Sequence, residues 1–176
     1  MKPYSTAYYL SRIFGFLLIF EILHYLYDFF PNIVMQIFSG INESVFQHWK
    51  IAFYSYLLLS AIEFGIFYKT LSHKQQFVFT HLFGAILTPW IIFILWYIAP
   101  AIYGPIGRVW VEILWAISCT ILTIFIITVF ENQIKEIEWN RSSQLVIMLL
   151  MLILILEFTI FTFHLPWADI FAEPYS

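Results

Sequence analysis

Five long stretches of apolar residues run along the chain, separated by polar breaks or by breaks that contain glycine and proline. They cover roughly residues 12–30, 45–68, 76–99, 108–130 and 143–165. Each is about 18–25 residues long, which is the length that an α-helix needs to cross a bilayer. The pattern therefore predicts an all-α fold, a membrane bundle of five transmembrane helices in a single domain over residues 1–176.

The breaks carry further information. A short apolar piece, residues 32–39, lies between Pro31 and Gly40 and is predicted to lie in the membrane interface. The segment 131–141 reads as a charged loop. Pro89 falls at the middle of the third predicted helix, where a missing backbone N–H is expected to break the helix.

Composition agrees with a membrane protein. Hydrophobic residues make up 62% of the chain and charged residues only 11%, against about 25% charged residues in soluble domains. We therefore predict a multi-pass protein of the cell membrane that contacts membrane lipids. The net charge of -3 is scattered and leaves no basic patch, which argues against nucleic acid as a partner. A single cysteine, Cys119, excludes an intramolecular disulfide and any multi-cysteine metal site.

The positions of lysine and arginine predict the orientation, because these residues concentrate on the cytoplasmic side of membrane proteins. With the N-terminus inside and the C-terminus outside, only Lys50 and Arg108 fall on the outer side. The other six fall on the inner side: Lys2, Arg12, Lys69, Lys74, Lys135 and Arg141.

The first predicted helix carries a polar stripe. Glu21, His24, Tyr25 and Asp28 follow the spacing i, i+3, i+4 and i+7, which places them on one face of a helix. A carboxylate in mid-bilayer costs roughly 3 kcal/mol unless it is paired, protonated or wetted. This cost favours a functional role for Glu21 and His24. Alternatively, Glu21 pairs with Lys50 or a histidine and only fixes the packing of the helices.

Other helices add ionisable residues at the same depth. Helices 1 and 2 are joined by a short connection and should pack antiparallel. We therefore expect Glu21, His24 and His48 to share one cavity in the outer half of the bundle, and we predict them as catalytic residues. The predicted ligand-binding residues around them are Asp28, Lys50, Glu157 and His164.

Residues 42–50, Asn-Glu-Ser-Val-Phe-Gln-His-Trp-Lys, form the segment that most resembles a motif. Ser44 followed by Gln47 is a capping box, which satisfies free amides at a helix N-terminus. His48 and Lys50 are not needed for a cap. Lys50 is also explained by a side chain that reaches the lipid headgroups.

Histidines at this depth raise the possibility of a metal site, and His24 and His48 are the candidates. Zinc accepts mixed histidine and carboxylate ligands, but no local zinc signature is present. The spacing Glu-x-x-His at 21–24 occurs in di-metal helix bundles, which need two copies of it. A haem between His24 and His48 has no specific motif to support it. The sequence leaves the cofactor open.

Residues 42–50, with Leu23–Tyr27 upstream, resemble an uncharacterised family of small prokaryotic membrane proteins that carry an Asn-Glu-Ser-Val-Trp-Glu-His-x-Lys motif. Its members also end in a Phe-Thr-Phe segment followed by prolines, as this chain does with Phe161–Phe163, Pro166 and Pro174. Phe46 and Gln47 stand where the pattern favours Trp and Glu. The resemblance covers nearly the whole chain and implies a topology but no activity.

Three functions fit these features. A membrane-embedded enzyme acting on a lipid or another apolar substrate would use the carboxylate and imidazole groups for acid–base chemistry. A small transporter or ligand-binding protein would use them for a cation or for protons, with a helix broken at Pro89, although the sequence has no internal repeat. An accessory subunit of a membrane complex would use them for packing alone. Oligomeric state and protein partners stay open.

Overall fold

The computed structural model describes residues 5–172, and that part of the chain contains helices and no β-strand. The elements are α1 (Thr6–Phe29), α2 (Ile33–Phe38), α3 (Val45–Phe67), α4 (Lys74–Tyr103), α5 (Val109–Ile134), α6 (Arg141–Phe163) and a short 3-10 turn (Asp169–Phe171). Within the described residues, five helices are long and apolar enough to cross a membrane: α1, α3, α4, α5 and α6. The predicted all-α fold with five such helices is confirmed.

Helix α3 is the centre of the bundle. Of the 18 most apolar consecutive residues of α3, 56% are buried, whereas the corresponding share in the other four long helices is 28–33%. It packs against α1 and α4, while α5 packs against the same two helices and α6 lies along α4. Aromatic side chains fill the core, and Phe16, Phe53 and Phe158 are fully buried there.

The bundle has two ends that carry different polar groups. Arg12, near the start of α1, contacts Glu63 near the end of α3, so the two helices run antiparallel. We call the end that holds Arg12 the N-terminal end; the connections 68–73 and 135–140 lie there. The opposite, C-terminal end holds α2, the connection 104–108 and the 3-10 turn.

Two helices are longer than the hydrophobic pattern predicted. Helix α1 begins at Thr6, six residues earlier than expected, with Ser5 as its N-cap. Helix α5 continues to Ile134, so Glu131 belongs to a helix rather than to the predicted loop. In the longer helices both Arg12 and Glu131 are within α-helix rather than at or beyond its end. The two residues pair with each other inside the bundle, across α1 and α5.

Helix α4 is continuous through both of its prolines, so the expected break at Pro89 is wrong. Pro100 shows how the chain tolerates such a residue. A proline at this position leaves the carbonyl four residues earlier, that of Trp96, without its helical donor. The Trp115 indole of α5 donates to that oxygen at 3.0 Å. The neighbouring helix thus replaces the lost hydrogen bond.

Candidate functional site

Three side chains meet at the C-terminal end of the bundle. His24 comes from α1, Glu43 from the turn before α3, and His48 from the first turns of α3. The Glu43 carboxylate lies 3.2 Å from His24 Nε2 and 3.6 Å from His48 Nε2. The potential ligand atoms of the three residues all lie within 4.8 Å of one another. We call this set the His–Glu–His site.

Gly40 brings the connection before α3 close to α1. Its N–H donates to the Leu23 carbonyl at 3.2 Å. A Cβ atom at this position would lie 2.9 Å from Ile51 Cδ1 and 3.2 Å from the His24 carbonyl oxygen. Only glycine fits without displacement, and this close approach carries Glu43 over His24.

Local hydrogen bonds then shape the turn. Asn42 Oδ1 accepts from the Ser44 N–H at 3.1 Å, and Ser44 Oγ accepts from the Gln47 N–H at 3.4 Å. Ser44 is therefore the N-cap of α3, as the capping box predicted. The reciprocal bond is not formed, because the Gln47 amide is buried without a hydrogen-bond partner.

The orientation of His48 decides which of its nitrogens is available. Its Nδ1 lies 2.9 Å from the Ser44 carbonyl oxygen. A carbonyl only accepts, so Nδ1 carries a hydrogen and donates it. In the neutral imidazole, Nε2 then holds a lone pair directed toward Glu43. A backbone carbonyl that accepts from one ring nitrogen in this way fixes the orientation of a metal-binding histidine.

The site is closed on one side and open on the other. The His24 side chain is 12% exposed, that of His48 32% and that of Glu43 65%. Phe20 stacks against both imidazole rings, with centroids 6.4 Å from each. An apolar wall therefore lies behind the histidines, while the carboxylate faces outward.

Glu21 and Asp28 do not join this site, contrary to the expectation of a shared cavity. Both are exposed, and neither makes a hydrogen bond or ion pair within the described residues. At 100° per residue, Glu21 lies 100° from the buried Phe20, whereas His24 lies only 40° from it. Glu21 therefore points away from the packed face, and Glu43 supplies the carboxylate instead.

Lys50 also differs from expectation. Its side chain is fully buried rather than extended toward headgroups, and Nζ donates to the Gln36 carbonyl at 2.7 Å and to Thr162 Oγ1 at 3.0 Å. It does not pair with Glu21. Lys50 follows His48 by two positions, which is about 200° around the helix. The lysine therefore faces α2 and α6, and it holds the end of α2 in place.

The two candidates on α6 stay apart from the His–Glu–His site. Glu157 is half-buried, and His164 is exposed at the C-cap of the helix. Neither makes a hydrogen bond or ion pair with the three residues of the site. The structure therefore brings together two of the seven predicted site residues, His24 and His48.

A second polar cluster lies at the N-terminal end and was missed by the sequence analysis. It consists of Arg12, Tyr56, Glu63, His81 and Glu131, all of which are buried. Arg12 and Glu131 had been assigned to the membrane boundary and to a loop. The sequence did contain a pattern that indicates the burial of Arg12. Tyr8, Phe16 and Phe20 are buried at a spacing of four residues on α1, and Arg12 occupies the position in that series between Tyr8 and Phe16.

The chain belongs to a family of unknown function, DUF6512, whose model matches residues 2–175. This agrees with the resemblance to an uncharacterised family. No curated protein matches the chain. No solved structure matches it either.

Proposed function

We propose that this protein is a membrane-embedded, metal-dependent enzyme that acts on a lipid or another apolar substrate. The observation that carries the proposal is the convergence of His24, Glu43 and His48 at one end of the bundle. Two imidazole nitrogens and a carboxylate form a ligand set suited to a divalent transition metal such as zinc.

The distances support this ligand set. Zinc ligands at about 2.0–2.1 Å in a tetrahedral arrangement lie about 3.3 Å from one another. The Glu43 carboxylate oxygens lie 3.2 and 3.6 Å from the two Nε2 atoms. Each Glu43 oxygen approaches a different histidine, and the exposed Glu43 side chain is free to adjust to an ion. The His48 Nε2 lone pair already points the right way, because Nδ1 is held by the Ser44 carbonyl.

The coordination number favours catalysis over a purely structural role. Structural zinc sites use four protein ligands, whereas catalytic sites use three and keep one position open. When bound, such an ion supplies a Lewis acid and activates water near neutral pH. The exposed side of the site gives water and a polar headgroup access, and the apolar surface of α1 beside it suits an acyl chain.

Glu21 stays a candidate acid–base group in this proposal. It lies one turn before His24 and outside the ligand set, and it is exposed. A substrate that approaches along α1 from the lipid would meet this exposed carboxylate one turn away from His24. Helix α4 is continuous through Pro89, so it does not supply the broken helix that the transporter alternative added to its carboxylates.

Metal analysis of the purified full-length protein tests the proposal. We expect the parent protein to bind about one zinc equivalent, the usual content of a mononuclear site. His24→Ala and His48→Ala should lose the ion. His164→Ala is the matched control, since His164 is exposed and lies outside the site.

An absorption spectrum of the same sample distinguishes the other reading of the histidines. A haem band that disappears in His24→Ala and His48→Ala would replace the metal site by a bis-histidine haem. Failure of the parent protein to retain zinc after reloading would contradict metal dependence. The three side chains would then act as an acid–base group without an ion.

A further inference from the structure

Arg12 is the centre of the buried cluster at the N-terminal end. Its guanidinium group lies 3.0 Å from Glu63 Oε1 and 2.5 Å from Glu131 Oε2. It also donates to the Tyr56 hydroxyl at 2.6 Å, and that hydroxyl donates to Glu131 Oε1 at 2.5 Å. One arginine thus contacts carboxylates from α3 and α5 at once.

The charges of this cluster do not balance. Two carboxylates and one guanidinium leave a net charge of one negative unit if His81 is neutral. Arg12 is 1% exposed, Glu131 2%, Glu63 6% and His81 7%. Water does not screen a charge at this burial, and an uncompensated buried charge is strongly destabilising. One further positive charge is needed to balance the cluster.

The position of His81 indicates which group carries the additional positive charge. Its Nδ1 lies 2.9 Å from the Phe77 carbonyl oxygen, so Nδ1 carries a hydrogen and donates it. Nε2 then faces Glu63 Oε2 at 3.4 Å and Glu131 Oε2 at 3.9 Å. Without another proton, a nitrogen lone pair would face carboxylate lone pairs. Both Nε2 and Glu63 Oε2 are buried and lack any other hydrogen bond.

A route to water is present on the same side. A surface cavity of about 480 Å³ reaches His81 from the connections at the N-terminal end of the bundle. Its rim includes His73, Lys135, Glu136 and Glu138. A cavity of this size, with polar side chains at its rim, holds several water molecules. Water at one side of the membrane therefore lies against the His81 side chain.

We propose that this cluster is a proton-binding site, in which one exchangeable proton lies between His81 Nε2 and the Glu63 carboxylate and equilibrates through the cavity. The site is separate from the His–Glu–His site and does not depend on a metal. The titratable and charged groups around it in the bundle are Tyr8 and Arg12 from α1, Tyr56 and Glu63 from α3, and Glu131 from α5. On the side of the cavity they are His73, Lys135, Glu136 and Glu138.

The pH dependence of unfolding tests the proposal. Above about pH 6.5, histidine in an unfolded chain is mostly neutral, so the folded protein would hold one proton more than the unfolded protein. This proton therefore lowers stability as pH rises, and until the folded protein releases it, it contributes a tenfold increase of the unfolding equilibrium constant per pH unit. The measurement is reversible unfolding of the full-length protein in mixed micelles.

Glu63→Gln is the decisive variant. It balances the cluster without the proton, so the unfolding equilibrium constant of the parent protein should rise with pH about tenfold more steeply per pH unit than that of Glu63→Gln. Glu136→Gln is the matched control, because it removes an exposed carboxylate at the cavity rim and should keep the dependence. Equal slopes in the parent protein and in Glu63→Gln would overturn the proposal. Stabilisation by sodium over choline at constant ionic strength, without pH dependence, would assign the charge to a sodium ion instead and refute it.

Spectroscopy on the parent protein covers the case in which Glu63→Gln does not fold. We expect either two protonated ring nitrogens at His81 in ¹⁵N nuclear magnetic resonance, assigned with His81→Gln, or an infrared band from a buried carboxylic acid. The first result places the proton on His81, and the second places it on a carboxyl group in contact with His81 if the band shifts in His81→Gln. A singly protonated His81 together with fully ionised carboxylates would overturn the proposal.

Discussion

His48 and His81 are held in the same way at opposite ends of the bundle. Each donates its Nδ1 hydrogen to the carbonyl four residues earlier, and each turns Nε2 toward a carboxylate. Their surroundings differ. His48 meets a second histidine and a largely exposed glutamate, whereas His81 lies among buried charges. The same local geometry therefore suits metal binding at one end and proton binding at the other.

At this scale, the carboxylate of the His–Glu–His site can be tested directly. Glu43→Gln keeps the shape of the side chain and removes its charge. Because even outer-shell changes cost 10–100-fold in metal affinity, we expect zinc to bind at least about tenfold more weakly. Glu21→Gln is the control, since Glu21 is exposed and outside the ligand set. Zinc titration measures both, and equal losses would remove Glu43 from the site.

The connection between α1 and α3 positions Glu43 as a unit. Lys50 holds the end of α2 through the Gln36 carbonyl, and Gly40 holds the following residues against Leu23 of α1. Glu43 follows three residues after Gly40. The loss of either hydrogen bond would therefore move the Glu43 carboxylate relative to both histidines.

Gly40→Ala tests this dependence at the scale of the element. The added methyl group would lie 2.9 Å from Ile51 Cδ1 and 3.2 Å from the His24 carbonyl. Overpacking of this kind costs about 1–3 kcal/mol, so we expect that loss of stability together with weaker zinc binding. Gly107→Ala is the control, because nothing lies within 4 Å of a Cβ there. Unchanged zinc affinity in Gly40→Ala would show that Glu43 is positioned independently of Gly40.

Across the whole molecule, the Arg12 cluster joins four of the five long helices. It takes Arg12 from α1, Tyr56 and Glu63 from α3, His81 from α4 and Glu131 from α5. Helix α6 is outside it and packs mainly along α4. The cluster therefore fixes how α1, α3, α4 and α5 are rotated about their own axes and how they are shifted along the bundle relative to one another.

Arg12→Gln should be strongly destabilising, because it leaves two buried carboxylates without their cation. Breaking a buried ion pair from one side costs about 3–5 kcal/mol. Unfolding in mixed micelles measures the loss. Arg141→Gln, at an exposed position at the start of α6, is the control. Adding Glu63→Gln and Glu131→Gln to Arg12→Gln should recover much of the stability. No recovery would show that the arginine acts by packing alone.

The orientation in the membrane is also a property of the whole molecule, and it stays a prediction. Arg12 and Lys50 are buried and do not act as surface charges. Without these two residues, the number of lysines and arginines predicted on the inner and outer sides changes from six against two to five against one (6 - 1 and 2 - 1). We therefore expect a cysteine at position 42 to be labelled from outside intact cells. Labelling only after lysis would reverse the orientation. Position 175, predicted on the same side, lies outside the described residues.

Hydrophobic length alone determined the five long helices, because a helix in a membrane must satisfy its own backbone hydrogen bonds within one segment. Helical spacing and a short connection also brought His24 beside His48. The tertiary structure decided which carboxylate joins them. Glu21 lies farther around α1 from the buried face than His24 does, so it points outward, and Glu43 occupies the place beside the histidines. It also decided the pairing of Arg12 with Glu131, 119 residues apart. Local periodicity places a residue on a face of its own helix, but the residue that meets it depends on how separate helices rotate and pack.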